Sequence, residues 1–432
     1  MKVTYFAKTN TRGEEKIFGI KKEDRRYHMY IVGKTGMGKS TLLLNMILSD
    51  IYADEGLCVL DPHGDLAEKI LDYIPKRRIN DTIYFNPADI DYPISLNVME
   101  KGKKHLVCSQ LISIFKRFFK EFWGFRLEHI LRNTILSLLE YKGATTLLSV
   151  QRMLLDREYR RRIVERIEDP ILINFWRNEF PKYCVRFSET MTPILNKLGQ
   201  FLTNPLIRNI VGQTKNRIDF RELMDDGKIL IANLSKGMIG EDCSSLLGSL
   251  ILMKIQLAGL SRQELKEEER RDFYLYIDEC HSFITDSFVS MLSEARKYGI
   301  CLILANQFIS QIDDEMRDSI LGNVGTLIAF KVGVKDAECL RKELYEFREK
   351  DLTNQPKYHI YLKLAVNGKT TSPFSAYTLP PFYGFKFQGN REKIIKVSRQ
   401  RYAVERDVVE EKIRKLFDRE GVEGFSLRSA WR

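Results

Sequence analysis

The residues with the most specific chemistry form a glycine-rich loop near the start of the 432-residue chain. The loop fits G-x-x-x-x-G-K-[ST] and consists of Gly33, Lys34, Thr35, Gly36, Met37, Gly38, Lys39, Ser40 and Thr41. Glycines allow successive backbone N–H groups to turn toward one point, which makes an anion-binding nest at a helix N-terminus. Lys39 is expected to reach the β- and γ-phosphates, and the Ser40 hydroxyl to ligate Mg²⁺. The loop therefore predicts ATP and Mg²⁺ as cofactors.

Two consecutive acids, Asp278 and Glu279, follow the apolar run 274–277. Nucleotide hydrolysis needs an acidic residue at the end of a strand beside the phosphate loop. Asp278 is expected to hold Mg²⁺ opposite Ser40, and Glu279 to orient and deprotonate the attacking water. The alternative is that Glu279 is only a solvated strand end.

Two further polar residues complete a hydrolysis site. Gln307 follows the apolar run 300–305, which places a neutral amide near the γ-phosphate as a sensor or water-positioning group. Arg296 precedes that run, at the end of a predicted helix. We expect Arg296 to reach across a subunit interface into a neighbour's site, a role worth about 10³–10⁵ in rate. The alternative is a cation at the C-terminus of a surface helix.

The segment 61–65, Asp-Pro-His-Gly-Asp, also follows a predicted strand. Ligands of open α/β sheets bind at the carboxyl ends of the strands. Asp61 is therefore predicted to support the attacking water or the phosphate loop, and a purely structural turn is the alternative.

The apolar runs that must position these residues alternate with helical patterns. They lie at 29–32, 57–60, 82–85, 228–234, 274–277, 300–305 and 326–332. Continuous apolar strands separated by helices are typical of a parallel sheet buried on both faces. The sequence therefore predicts an α/β fold with a mostly parallel central sheet.

The pattern between about 103 and 220 is different. Helical spacing recurs at 106–119, 127–141, 146–155 and 158–167, without a convincing strand. This pattern predicts an all-α domain, 103–220, inserted between two parts of the sheet domain, 1–102 and 221–385. A basic tail, 386–432, is predicted to contain one amphipathic helix over 404–419.

Charge and composition indicate which partners and cellular locations fit the chain. Lys and Arg number 69 against 58 Asp and Glu, a formal net charge of +11 that favours nucleic acid or an acidic membrane surface as partner. Residues 1–15 lack an apolar signal core, and the longest apolar run, 246–260, is interrupted by Lys254 and is expected to be too short for a bilayer. The seven scattered cysteines argue against a disulfide framework or zinc site and predict a cytosolic protein. Cys280 and His281 are adjacent in the sequence and are not expected to form a metal-binding pair.

The chain resembles a known family at four motifs. They are the loop GKTGMGKST, the turn DPHGD, the strand end YLYIDE and the segment EARKYGICLILANQ. Together they resemble the HerA–FtsK superfamily of hexameric DNA-pumping ATPases, and within it the DNA-binding ATPase domain of type IV secretion coupling proteins. The resemblance covers about residues 15–380. It implies a RecA-like P-loop NTPase with an inserted all-α domain, a homo-hexameric ring and sequence-independent DNA binding. It also implies a glutamine sensor at Gln307 and an arginine from the adjacent subunit at Arg296.

The resemblance does not extend to the transmembrane segments of the family. Coupling proteins typically carry N-terminal transmembrane helices, and no such segment is predicted here. We therefore expect a cytoplasmic location, with recruitment to the inner face of the membrane by a partner such as a relaxase or secretion channel. Two alternatives stay open: a soluble HerA-like helicase, DNA-processing or packaging motor, and a secretion ATPase for protein export or pilus assembly that does not handle DNA.

Basic segments and one aromatic cluster are candidate DNA contacts. The basic segments are 101–104, 157–166 and 393–406, each of which also fits a solvated helix face. The aromatic cluster consists of Phe118, Phe119, Phe122, Trp123 and Phe125. Its rings can either stack on bases or pack in a helical core.

Overall fold

The computed structural model describes residues 3–10, 15–99, 102–185 and 191–418. The chain forms two compact units, which we call the sheet unit and the helical unit. The sheet unit contains Met1–Asn86 and Asp219–Ser398, and the helical unit contains Pro87–Ile218 and Arg399–Arg432. Residue 101 of the first basic segment and residues 419–432 of the predicted tail lie outside the described residues.

The strands all belong to the sheet unit. In chain order they are β1 (Val3–Thr9), β2 (Ile17–Lys21), β3 (Met29–Val32), β4 (Gly56–Asp61), β5 (Thr82–Phe85), β6 (Ile229–Asn233), β7 (Phe273–Ile277), β8 (Ile300–Asn306), β9 (Thr326–Ala329), β10 (His359–Lys363), β11 (Ala365–Val366), β12 (Lys369–Thr370) and β13 (Phe374–Thr378). Within the described ranges, 11 of them form one sheet in the order β2-β1-β13-β10-β9-β3-β8-β7-β4-β6-β5, and β11 pairs with β12 separately.

The part of the sheet from β9 to β5 is parallel throughout. Every residue of these strands is buried, as a sheet covered on both faces requires. This confirms the predicted α/β class. The other edge, β10, β13, β1 and β2, is antiparallel, and the sequence analysis does not predict it. Residues of β10 alternate between buried and partly exposed, so this strand lacks the continuous apolar run of a central strand.

The sheet is flanked by helices of the same unit. They are Lys39–Tyr52, Asp65–Leu71, Phe220–Asp225, Lys236–Ile239, Glu241–Ser261, Asp286–Glu294, Asp314–Asn323, Val334–Leu340, Glu349–Thr353 and Arg391–Tyr402, the last of which crosses the boundary between the units.

One helical span corrects a prediction. The apolar run 246–260 was expected to be too short for a bilayer, but the helical span Glu241–Glu264 is 24 residues long. By length and composition it is the one span in the described part of the chain that is able to cross a membrane. Because 78% of its apolar window is buried inside the protein, its burial is typical of a core helix.

The helical unit is built from short helices. They are Lys104–Phe118, Phe125–Glu140, Leu147–Leu155, Arg157–Val164, Pro170–Asn174, Phe180–Cys184, Thr192–Leu202, Pro205–Val211 and Arg406–Asp418. The first four confirm the predicted helices at 106–119, 127–141, 146–155 and 158–167. The last corresponds to the predicted amphipathic helix and packs on this unit, where Arg152 donates to the Leu416 carbonyl at 2.8 Å.

Candidate functional site

The glycine-rich loop connects the end of β3 to the helix Lys39–Tyr52. Gly36 and Gly38 have φ values of 78° and 122°, conformations that side-chain-bearing residues rarely adopt. A Cβ atom on Gly38 would also lie 2.8 Å from the Tyr358 ring. Since Gly38 is the N-cap and supplies no side-chain cap, the helix begins with backbone N–H groups directed at the loop. This geometry is that of an anion nest.

Lys39 is the first residue of that helix and is buried. Its ammonium donates a hydrogen bond to the Gly33 carbonyl, which folds the side chain over the loop. Burial lowers the pKa of Lys39, and the negative charges of Glu279 and Asp278 oppose that shift. The ammonium therefore lies between the phosphate loop and the acids.

The acids come from two adjacent parallel strands. β4 pairs with β7, with Leu60 opposite Ile277, so Asp61, Asp278 and Glu279 meet at one edge of the sheet. All three are buried. Burial, together with the charges of Asp61 and Glu279, raises the pKa of Asp278 to about 7. This edge therefore carries more negative charge than its surroundings neutralise, which suits a bound cation.

A magnesium ion at this edge would need ligands from its nucleotide as well. No group of three or more His, Cys, Asp or Glu side chains in the described ranges is arranged as a metal cluster. Mg²⁺ is commonly held by one or two protein oxygens together with substrate phosphates and water. The predicted pair, Ser40 and Asp278, fits that mode of binding.

Asp61 has a structural role in the turn that follows β4. Its two carboxylate oxygens accept hydrogen bonds from the backbone N–H groups of His63 and Ala67, both at 2.9 Å. These bonds hold the turn and the start of the helix Asp65–Leu71. The geometry matches the structural alternative, and a direct role in hydrolysis stays a prediction.

Glu279 has an unusual backbone conformation at the end of β7. Its φ of 46° and ψ of 56° are left-handed, which is strained for a residue with a side chain. One carboxylate oxygen accepts a hydrogen bond from the Gln307 backbone N–H at 3.2 Å and lies 3.5 Å from His281 Nδ1. The Gln307 side-chain amide donates to the Thr35 hydroxyl in the loop. A short chain of contacts thus connects Glu279, Gln307 and the phosphate loop.

These residues surround one open cleft of about 710 Å³. The predicted residues that line it are Thr35, Gly36, Gly38, Lys39, Ser40, Thr41, Asp61, Asp278, Glu279 and Gln307. Gly33, Lys34 and Met37 belong to the loop and do not line the cleft.

One wall of the cleft was missed by the sequence analysis. It is formed by Lys357 and Tyr358, which directly precede β10, and by Pro381 and Phe382, which follow β13. The Tyr358 N–H donates to the Met37 carbonyl at 2.9 Å, and the Phe382 ring stacks on Tyr73 at 4.1 Å between centroids. No local sequence signal marks these residues, because strand pairing with distant segments brings them to the loop.

Arg296 lies at the other edge of the sheet. It is in the turn that precedes β8, whereas Gln307 follows the end of that strand. The strand has 7 residues, so the two ends are roughly 20 Å apart. The Arg296 guanidinium is exposed and lies 4.2 Å from the centre of the Tyr27 ring. Its side chain has no ion-pair partner within the described ranges, and it does not reach the cleft of its own subunit.

Most of the predicted basic segments contain cations that form hydrogen bonds or ion pairs with other residues of the protein. Arg160 donates to the carbonyls of Met153 and Leu154 and lies over the Phe180 ring. The ion pairs in these segments include Lys104–Glu140, Arg161–Glu158, Arg399–Asp89 and Arg406–Glu410, at 2.6 to 2.9 Å. In these pairs the cations stabilise their own unit.

Comparisons with known proteins identify a family for the chain. A family model described as the type IV secretion-system coupling protein DNA-binding domain matches residues 16–344. No curated protein sequence matches the chain.

Solved structures share the fold at low sequence identity. The plasmid coupling protein TrwB in complex with ADP and Mg²⁺ is 16% identical, with a TM-score of 0.63 over 90% of this chain and 97% of that chain. The trigonal form of TrwBdeltaN70 in complex with sulphate is 17% identical, with a TM-score of 0.63 over 94% and 98%. VirB4 of Thermoanaerobacter pseudethanolicus is 12% identical, with a TM-score of 0.61 over 89% and 98%.

Proposed function

Because the chain belongs to the type IV secretion-system coupling protein DNA-binding domain family, we propose that it is an ATP-driven motor that moves DNA. We further propose that it hydrolyses ATP at the subunit interfaces of a homo-hexameric ring. The observation that carries the proposal is that the phosphate loop, the acids Asp278 and Glu279, and Gln307 line one cleft of a coupling-protein fold.

The cofactors are ATP and Mg²⁺, and the cleft has suitable groups for both. The backbone N–H groups of the loop and the Lys39 ammonium bind phosphate oxygens, while Ser40 and Asp278 hold the metal. When bound, the Mg²⁺-nucleotide supplies the γ-phosphoryl group and a cation that offsets phosphate charge. A cation also offsets the repulsion that raises the pKa of Asp278.

Glu279 is the proposed general base. It orients the attacking water and takes its proton, and the hydrogen bond from the Gln307 N–H limits the rotation of its carboxylate. Because the Gln307 side chain contacts Thr35, this residue connects the loop to the base. Arg296, which is remote from the cleft of its own subunit, acts in the cleft of a neighbour and stabilises the transition state.

The DNA partner is proposed from the family and supported by the net charge of +11. Contacts to phosphates do not read sequence, so binding is expected to be sequence-independent and to weaken with salt. A relaxase or secretion channel is the proposed partner in transfer. We also propose a cytoplasmic location with recruitment to the membrane by that partner.

The proposal is tested by ATP hydrolysis with and without DNA. We expect DNA to stimulate the wild-type rate and K39A to lower it by about 10²-fold or more, because the phosphates lose a charged donor. K335A removes an exposed lysine outside the cleft and is the matched control, with a rate close to wild type. A wild-type rate that neither single-stranded nor duplex DNA changes would contradict the motor proposal.

A secretion ATPase without DNA is the second candidate, because VirB4 shares the fold. It predicts hydrolysis that depends on Lys39 and does not respond to DNA. A HerA-like helicase or packaging motor would respond to DNA, and a strand-displacement assay distinguishes helicase activity from translocation along an intact duplex.

A further inference from the structure

The turn between the helices Lys104–Phe118 and Phe125–Glu140 exposes aromatic rings. We call residues 116–126 the aromatic turn. Of its aromatic residues, Phe119 is buried, and Phe118 packs against Phe201 with 5.2 Å between ring centroids. Phe122 and Phe125, in contrast, are 56% and 95% exposed. The structure thus separates the predicted aromatic cluster into rings that pack in the helical unit and rings that face solvent.

Contacts made by Phe119 and Trp123 anchor the aromatic turn. Phe119 stacks on Phe115 with 5.5 Å between centroids, and the Trp123 ring donates through Nε1 to Glu128 at 3.2 Å. The two exposed phenyl rings are therefore displayed from an anchored turn. Two exposed phenyl rings on an anchored turn are a candidate contact surface.

Positive charge accompanies the exposed rings. The aromatic turn contains four cations, Lys116, Arg117, Lys120 and Arg126, and a single carboxylate, Glu121. Lys120 and Arg126 are exposed, and neither has an ion-pair partner in the part of the chain that the structure describes. Cations that are not paired within the fold are available to bind phosphate groups.

We propose that the aromatic turn binds single-stranded nucleic acid, with bases stacked on Phe122 and Phe125 and phosphates bound by Lys120 and Arg126. Every base has a π face, so aromatic stacking combined with backbone charge binds single strands without reading sequence. The inference deepens the proposed function and rests on it, since DNA is the partner proposed for the motor.

Other partners fit this surface less well. Insertion into a membrane would carry the Glu121 carboxylate, which directly precedes Phe122, toward the apolar region at a cost in free energy. The core of an interface between protein copies is depleted of charge, whereas charged residues directly flank both rings here. A base contacts only the face of a ring, so Glu121 can stay in water.

The experiment measures the binding of fluorescein-labelled oligo(dT) to the full chain by anisotropy. F122A/F125A keeps every charge, so we expect about tenfold or greater weakening from the lost stacking with an unchanged dependence on salt. F122Y/F125Y keeps the aromatic faces and is expected to bind like wild type. I171A/V185A truncates two exposed apolar residues of the same unit and is the matched control.

A second variant tests the charges separately. K120A/R126A keeps both rings, and we expect weaker binding and a slope of log K against log salt that falls by about 1.4, or 0.7 per phosphate contact. If F122A/F125A fails to fold, K120A/R126A still tests whether the aromatic turn binds DNA.

The outcomes separate this inference from the proposed function. Wild-type protein that fails to bind DNA would contradict the motor proposal. Wild-type binding with unchanged affinity in both F122A/F125A and K120A/R126A would overturn the aromatic turn alone. A change in oligomeric state by mass photometry, or in binding to phosphatidylglycerol vesicles, without a change in DNA affinity would overturn it in favour of a protein or membrane contact.

Discussion

The two edges of the parallel sheet differ in whether their buried charges are paired within the fold. At the carboxyl edge, Asp61, Asp278 and Glu279 are buried together, and Lys39 is the cation among them. The pKa of Asp278 rises to about 7 as a result of burial and of the neighbouring acids. This edge therefore places several acids around a single lysine, an arrangement that favours the binding of a cation or a proton.

The amino edge neutralises its buried charges within the fold. Arg25 is completely buried, donates two hydrogen bonds to the Asp50 carboxylate, at 2.5 and 2.9 Å, and lies over the Tyr274 ring. Arg26 pairs with Asp272 at 2.8 Å. Charge at the amino edge is thus paired within the fold, whereas Asp278 and Glu279 at the carboxyl edge line the open cleft.

Arg296 is the exception at the amino edge. Its guanidinium is exposed and rests on the Tyr27 ring. Tyr27 and His28 directly precede β3, the strand that leads into the phosphate loop. An arginine held in this way is exposed, as its proposed role in the cleft of a neighbouring subunit requires.

The largest expected effect is the loss of hydrolysis in R296A, by about 10³-fold or more, with nucleotide binding retained. E279Q is expected to lose about 10²–10⁴-fold because the base is removed. Mixing the two proteins should restore part of the activity, since some interfaces then combine an intact Glu279 with an intact Arg296.

K297A is the control for that experiment, because it removes the next exposed cation. If no mixture recovers activity, Arg296 does not act across a subunit interface.

An intermediate effect is expected at His28. Its Nδ1 accepts from the Leu302 N–H and its Nε2 donates to the Leu292 carbonyl, both at 3.2 Å. Burial, together with the charge of Arg296, lowers its pKa to about 4. Between about pH 6.5 and pH 4 the unfolded state therefore binds more protons than the folded state, so stability is lost as the pH falls.

The measurement is urea unfolding of wild type and H28Q at several pH values. From about pH 7 to pH 5, wild type should lose about 2 kcal/mol more than H28Q, since each pKa unit corresponds to about 1.4 kcal/mol. Parallel losses in the two proteins would show that His28 does not stay neutral in the folded state.

The smallest expected effect concerns Tyr27. Y27L removes the aromatic face beneath Arg296 and should lower hydrolysis about two- to fivefold, the worth of an exposed cation–π contact. Y27F keeps the face and should behave like wild type. In the R296A background Y27L should have no further effect, and an additive loss would show that Tyr27 acts independently of the arginine.

The sequence predicts the parallel half of the sheet closely. β3 and β5 have the predicted bounds, because a strand buried on both faces is a continuous apolar run that needs no partner to be recognised. The antiparallel edge was not predicted, since its strands are only partly buried and depend on pairing such as that of Ala7 with Thr378. Tyr358 and Phe382 reach the cleft only through that pairing.

The aromatic turn is a second case in which contacts with a distant segment could not be predicted from the sequence. The sequence places five aromatic residues between two helices but does not tell which of them are buried. The packing of Phe118 on Phe201, from a separate helix, decides this.

The sequence by itself determined which motifs meet at the carboxyl edge, because the loop 33–41 and the pair Asp278–Glu279 are contiguous motifs at the ends of apolar strands. Only the tertiary structure decided which charges are neutralised and which stay available. Asp61 accepts hydrogen bonds from its own turn, Arg296 lies against Tyr27 at the far edge, and burial together with the neighbouring acids raises the pKa of Asp278. Burial and electrostatic interaction depend on neighbours that are distant in sequence, so these features arise only when the chain has folded.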